Sequence, residues 1–273
     1  MSAIETWRRR VAAHHAQSRR ARATLGTRMG ERWEEGSPFF KADPQRSDDP
    51  EVNRLRREID PMATVLDVGG GAGRFALPLA LHCQHVTVVE PSPSMRKSCY
   101  QIAAEAGIDN ITVVGTRWEE ADVAPADVVI SAHVVYMIED IRAFVVKLIE
   151  HARARVLMPT FIRPPMARYA PFWRPVHGED RVEPLGAAEL MPVLWEMGIY
   201  PDIEMFPPEP FRALKDWQTA LRILRQRLYV EPDTEADARL QRAMHDWLRE
   251  TPDGFVVRGV GPGRLALISW QPE

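Results

Sequence analysis

Cysteine is nearly absent from this chain of 273 residues: only Cys83 and Cys99 occur. Two thiols exclude a disulfide framework and any cysteine-based zinc cluster, and they suit a reducing compartment. Long apolar runs are missing as well. The longest stretch without a formal charge, residues 75–89, is interrupted by Pro78 and Gln84, whereas a spanning helix needs about 20 mainly apolar residues. The first ten residues are polar and rich in arginine, with no apolar centre of an export signal, so a cytoplasmic location is expected. Lysine is scarce too: Lys41, Lys97, Lys147 and Lys215 are the lysines among 35 cationic residues. Arginine suits planar anions better than lysine does, although heavy arginine use also follows genome composition. The 35 basic residues meet 38 acidic ones, a net charge of −3, which argues against a strongly cationic nucleic-acid coat. With 45% hydrophobic and 27% charged residues, the composition is that of a folded globular protein.

What is present is an alternation of short apolar runs with helical stretches. Residues 1–36 read as a helical leader anchored by Trp7, Val11, Leu25, Met29 and Trp33 and stopped by Gly36. Eight arginines against four glutamates give this leader a net charge of +4. Asp49-Pro50 is a cap and first-turn pair opening a short helix to about residue 58. Strands follow at 64–68, 86–89, 111–114, 128–131 and 156–158, separated by helices at 74–82, 93–106 and 140–151. Strands alternating with helices imply parallel βαβ units and an α/β, doubly wound, mainly parallel sheet. Pro78 lies inside the helical stretch 74–82, where it is expected to kink or restart the helix.

After Pro159 the alternation loosens. Residues 160–185 read as a long packed loop, 187–197 as a helix ending at Gly198, and 200–206 as a strand. Two amphipathic helices carry Phe211, Leu214, Trp217, Leu221, Leu224 and Leu228, then Leu240, Met244, Trp247 and Leu248. Runs at 255–260 and 265–270, joined through Gly261-Pro262-Gly263, read as a final hairpin. One domain is expected: a leader to residue 60, a core over 61–206, an inserted helical cap over 207–252 and closing strands from 253.

The chemistry is concentrated directly after the first strand, at Asp67-Val68-Gly69-Gly70-Gly71-Ala72-Gly73. Glycines here let a strand turn sharply into a helix and let a ligand lie against bare backbone. One register, from Gly71 to Ala76, satisfies a loose dinucleotide fingerprint, and Glu90 at the end of the second strand has the spacing for ribose hydroxyls. Asp67 separates the two readings. A carboxylate two residues before the first glycine repels a pyrophosphate but attracts the cationic amino-acid end of S-adenosylmethionine.

With these residues in order the chain resembles the class I S-adenosylmethionine-dependent methyltransferases. Their acid-x-Gly-x-Gly-x-Gly motif appears as Asp67, Gly69, Gly71 and Gly73, and their ribose acid as Glu90. The resemblance implies a Rossmann-like, seven-stranded sheet and S-adenosyl-L-methionine as cofactor. It also implies adenine contacts from the segment after the third strand, where Thr116 replaces the usual Asp and Trp118 or Glu119 is expected to contribute. The fourth-strand motif falls on residues 127–136, with Ser131 near the cofactor and His133 and Tyr136 as candidate catalytic residues, His133 being the best-placed base. No Asn-Pro-Pro-Tyr type motif follows that strand.

The implied activity is methyl transfer to a small-molecule acceptor, at oxygen or nitrogen. An RNA or protein acceptor is the second reading, supported by Arg8, Arg9, Arg10, Arg19, Arg20 and Arg22 in the leader. A non-catalytic regulator that binds S-adenosylmethionine is the third. For a small acceptor, Trp33, Phe39 and Phe40 are expected as a lid. Phe161, Arg163, Arg168, Phe172, Trp173, Arg174 and His177 are expected along the pocket, a mixture suited to a partly aromatic or anionic molecule.

Overall fold

The computed structural model describes residues 1–23 and 43–272. Trp33, Phe39, Phe40 and residues 24–36 of the expected leader helix lie outside the described residues. In chain order the elements are α1 (Ala3–Ala23), α2 (Pro50–Arg56), β1 (Thr64–Val68), α3 (Ala76–Ala80), β2 (His85–Val89), α4 (Pro93–Glu105), β3 (Ile111–Val114), β4 (Ala126–Ile130), α5 (Ile141–His151) and β5 (Ala152–Phe161). They continue with α6 (Trp173–His177), α7 (Ala187–Glu196), β6 (Asp202–Met205), α8 (Trp217–Leu228), α9 (Glu235–Trp247), β7 (Leu248–Thr251), β8 (Gly254–Val257) and β9 (Leu265–Trp270).

Helix starts follow local chemistry. Asp49 accepts from the Glu51 and Val52 N–H groups with Pro50 in the first turn of α2, and Ser92 accepts from the Met95 N–H with Pro93 opening α4. Asp140, Asp216 and Thr234 cap α5, α8 and α9 in the same way. Pro78 neither kinks nor restarts a long helix. The chain turns through residues 71–75 and α3 begins only at Ala76, so Pro78 falls in a first turn, where a missing N–H breaks no helical bond.

Seven strands form one sheet in the order β3-β2-β1-β4-β5-β9-β6. Pairings from β3 to β5 are parallel, and β9 is antiparallel to both β5 and β6. Apolar residues of α1, α5 and α7 cover one face, and those of α2, α3 and α4 cover the other, which is why the central strands read as nearly continuous apolar runs. Strand order reverses between β1 and β4, the point at which open α/β sheets bind ligands at the carboxyl ends of their strands.

The expected closing hairpin does not form. Residues of β8 pair with β7 in a separate two-stranded ribbon, while β9, buried along its whole length, inserts between β5 and β6. The segment Gly254–Val257 therefore belongs with the cap, whose α8 and α9 share a core with Tyr169, Phe172, Trp173 and Val176. Among the described residues no helix is long and apolar enough to cross a membrane.

Candidate active site

Asp67 is the last-but-one residue of β1, flanked by Val88 of β2 and Ile130 of β4. Its side chain is 1% exposed, the Ala76 N–H donates to it, and Oδ2 has no hydrogen-bond partner. Burial, with the nearby Glu90 charge second, pushes its carboxyl up to about 7. A buried carboxylate with an unsatisfied oxygen beside a second carboxylate is costly until a cation or donor reaches it.

The turn after β1 is shaped to receive a ligand. Gly69, Gly71 and Gly73 all have positive φ, at 77°, 57° and 83°. A Cβ on Gly71 would meet nothing within 4 Å, whereas one on Gly73 would press Leu77 and the Cys99 sulfur at 2.6–3.0 Å. Gly71 thus presents its backbone to open space and Gly73 lets the turn pack down. Glu90 anchors the other rim: Oε2 accepts from the Gly71 N–H at 3.0 Å and Oε1 from the Ser92 N–H at 2.8 Å. Ser131, fully buried just past β4, has an Oγ without a hydrogen-bond partner. A ligand with a cationic end and hydroxyls is what this set fits; a pyrophosphate meets two carboxylates.

His133 stands opposite the glycine turn with φ 60°, a conformation that costs a non-glycine residue about 1–2 kcal/mol. Its Nε2 lies 2.8 Å from Glu51 Oε2 and its Nδ1 lies 3.1 Å from the Tyr136 hydroxyl. Tyr136 oxygen accepts from the Phe161 N–H at 3.0 Å, and burial raises its phenol well above the usual range, so the hydroxyl keeps its proton. That proton points to Nδ1, which leaves the ring proton on Nε2 facing Glu51. Both ring nitrogens are therefore committed within the protein, and the ring lies between Phe75 and Phe161, at centroid distances of 5.8 and 5.1 Å.

Trp118 lies elsewhere. Its ring is buried against α5, with Nε1 3.4 Å from the Phe144 carbonyl, Lys147 over its face at 4.8 Å and His151 at its edge. The expected adenine contact is thus corrected: the indole is used as core, its face already covered by Lys147. Glu119 is exposed near Arg117. Of the expected pocket residues, Phe172 and Trp173 are cap core, Arg163 and Arg174 pair with Glu183 and Asp180, and His177 bonds the Leu228 carbonyl.

Sequence reasoning missed three residues at the site. Glu51 reaches His133 across 82 positions and also pairs with Arg74 at 2.9 Å. Arg74 is the residue after Gly73, so this pair ties α2 to the glycine turn. Arg96 donates to the Glu90 and Pro91 carbonyls at 2.9 and 2.8 Å and lies against Gly115, closing the rim between β2 and β3. Its place four residues after the Ser92 cap was the only hint.

Residues 65–155 match the methyltransferase-domain family. This stretch, about a third of the chain, is similar to methyltransferase domains. The ubiquinone biosynthesis O-methyltransferase of Rickettsia conorii is 30% identical over 104 residues, 38% of this chain and 35% of that protein. The chain spans about a third of the length of the curated relatives it matches. A methyltransferase-like structure from Bacillus halodurans superposes with a TM-score of 0.58 at 13% identity, covering 83% of this chain and 99% of that one. The N-methyltransferase NodS from Bradyrhizobium japonicum, solved with S-adenosyl-L-homocysteine, gives 0.50 at 15% identity, over 89% and 99%. At these identities the two structures speak for the methyltransferase fold alone.

Proposed function

We propose that this chain transfers a methyl group from S-adenosyl-L-methionine to a small-molecule acceptor, at oxygen or nitrogen. The observation that carries the reading is Asp67: a fully buried carboxylate with an unsatisfied oxygen, at the head of a glycine turn whose other rim is Glu90. When bound, S-adenosylmethionine supplies an electrophilic methyl on a sulfonium sulfur, displaced in line by the acceptor. Asp67 would take the ammonium end, Glu90 the ribose hydroxyls, and the Gly69–Gly71 backbone the space between. Ser131 Oγ would supply a further polar contact. Alignment of this kind is worth about 7–11 kcal/mol of barrier.

Phe75, His133 and Phe161 form an aromatic wall beside the turn. His133 would accept a proton only at Nδ1, and only from an acceptor that displaces the Tyr136 hydroxyl; Glu51 would then face the imidazolium. With other acceptors His133 and Tyr136 hold the wall in place.

The leader favours a small acceptor over RNA. Arg10 pairs with Glu189, Arg20 with Glu179, and Arg22 lies over Tyr229 at 4.8 Å, so three of the six leader arginines named for an RNA acceptor contact the protein itself. A transfer screen with radiolabelled S-adenosylmethionine over metabolite, RNA and protein pools tests the proposal. Label in a small molecule is the expected result. Label confined to RNA or protein contradicts the acceptor class, and binding without any transfer identifies a regulator.

A further inference from the structure

A cavity of about 240 Å³ opens in the cap. Its floor is apolar, with Phe211, Phe255 and Tyr169, and its rim carries Arg168, Arg212 and Arg249. These come from three separate segments: the turn-rich stretch after β5, the loop after β6, and β7. No acidic residue lines the cavity. Among the described residues none of the three arginines is in an ion pair, in contrast to Arg163 and Arg174 nearby in sequence. Arg168 is held over the Tyr169 and Phe211 rings at 4.7 and 5.0 Å and bonds the Tyr169 hydroxyl. Three arginines lining an apolar cavity without a carboxylate suit an anion attached to an apolar body, since guanidinium matches planar carboxylate and phosphate oxygens.

The cavity is joined to the glycine turn by a line of aromatic rings. A Cβ on Gly263 would lie 3.1 Å from both Phe161 and Phe211, so the absence of a side chain there lets the two rings approach each other. Phe211 is a wall of the cavity. Phe161 lies against His133, with ring centroids 5.1 Å apart. Size agrees: a dry cavity of about 150 Å³ holds benzene, so the cavity takes an aryl or short alkyl body with an anionic group.

We infer that this cavity is the anchoring subsite of the methyl acceptor, and that the acceptor is a carboxylate or phosphate on a small apolar or aromatic body. Its anionic group sits among Arg168, Arg212 and Arg249, and its body lies along Phe211 and Phe161 toward His133. The acceptor role rests on the methyltransferase reading; the anion site rests on the cavity alone.

The test is calorimetric titration of the full chain, with and without S-adenosylhomocysteine, by 3-phenylpropionate, phenethyl phosphate and the uncharged 3-phenylpropanol. At least one of the anions is expected to bind ten times or more tightly than the alcohol, and their relative affinities tell carboxylate from phosphate. Arg212→Met with Arg249→Met, both exposed positions, is expected to lower anion affinity at least fivefold and leave S-adenosylhomocysteine binding unchanged. Equal affinity for the alcohol, no anion binding, or indifference to the double variant overturns the inference while the cofactor reading stands. Anion binding sensitive to the variant with no response to S-adenosylhomocysteine refutes the methyltransferase reading and leaves an anion site.

Discussion

Glu51 Oε2 lies 2.8 Å from His133 Nε2, and this contact joins α2, the helix just before the sheet, to the loop after β4. Because Glu51 also holds Arg74, one carboxylate fixes both the aromatic wall and the start of the segment after the glycines. Glu51→Ala leaves a half-buried ring N–H without its partner and leaves Arg74 with Asp49 alone. The expected loss is about 1–3 kcal/mol in urea denaturation. A loss below about 0.5 kcal/mol, the range of ordinary surface substitutions, would show that the contact organises nothing.

Asp67 predicts an unusual pH profile. Its carboxyl is raised to about 7 in the folded chain against about 4 in an unfolded one, so between those values the folded state holds the extra proton. Stability of the ligand-free protein from this group therefore falls as pH rises from about 4 through 7, then levels. Asp67→Asn removes the charge, so at pH 8 it is expected to melt several degrees higher than the parent while losing S-adenosylhomocysteine affinity at least tenfold. Scanning calorimetry at pH 5 and pH 8 checks this. An Asn variant less stable than the parent at pH 8 contradicts the buried-charge account.

Gly71 and Gly73 separate ligand contact from packing. Gly71→Ala adds a Cβ to open space and costs only the positive-φ strain, about 1 kcal/mol, yet it stands where the ligand backbone contacts are proposed. Gly73→Ala drives a Cβ into Leu77 and Cys99 and is expected to destabilise more, by roughly 1–3 kcal/mol beyond that strain. Denaturation midpoints paired with cofactor titrations read both effects. Equal destabilisation by the two variants would contradict the assignment.

Much of this was legible in the sequence, and the failures share a cause. Asp67, the glycines and Glu90 lie within a span of 24 positions on consecutive elements, so local spacing carried them into one crevice. The parallel strands announced themselves because both their faces are buried. Trp118 was misread because a tryptophan beside a motif looks the same whether it faces the crevice or α5. Glu51 and the cavity arginines come together only through tertiary packing, and β9 leaves its sequence neighbour β8 because the gap between β5 and β6 buries it fully.

Glu90→Ala is expected to weaken S-adenosylhomocysteine binding at least tenfold, since a charge-assisted bond contributes roughly 1.5–3 kcal/mol. Unchanged affinity in a folded variant would remove Glu90 from the ribose position.

The central claim is that this crevice takes a sulfonium cofactor and not a dinucleotide, and calorimetric titration of the full chain at pH 8 with S-adenosylhomocysteine and with NAD tests it most directly. Saturable binding of S-adenosylhomocysteine with no heat from NAD is the predicted result; tight binding of NAD with no response to S-adenosylhomocysteine would contradict it.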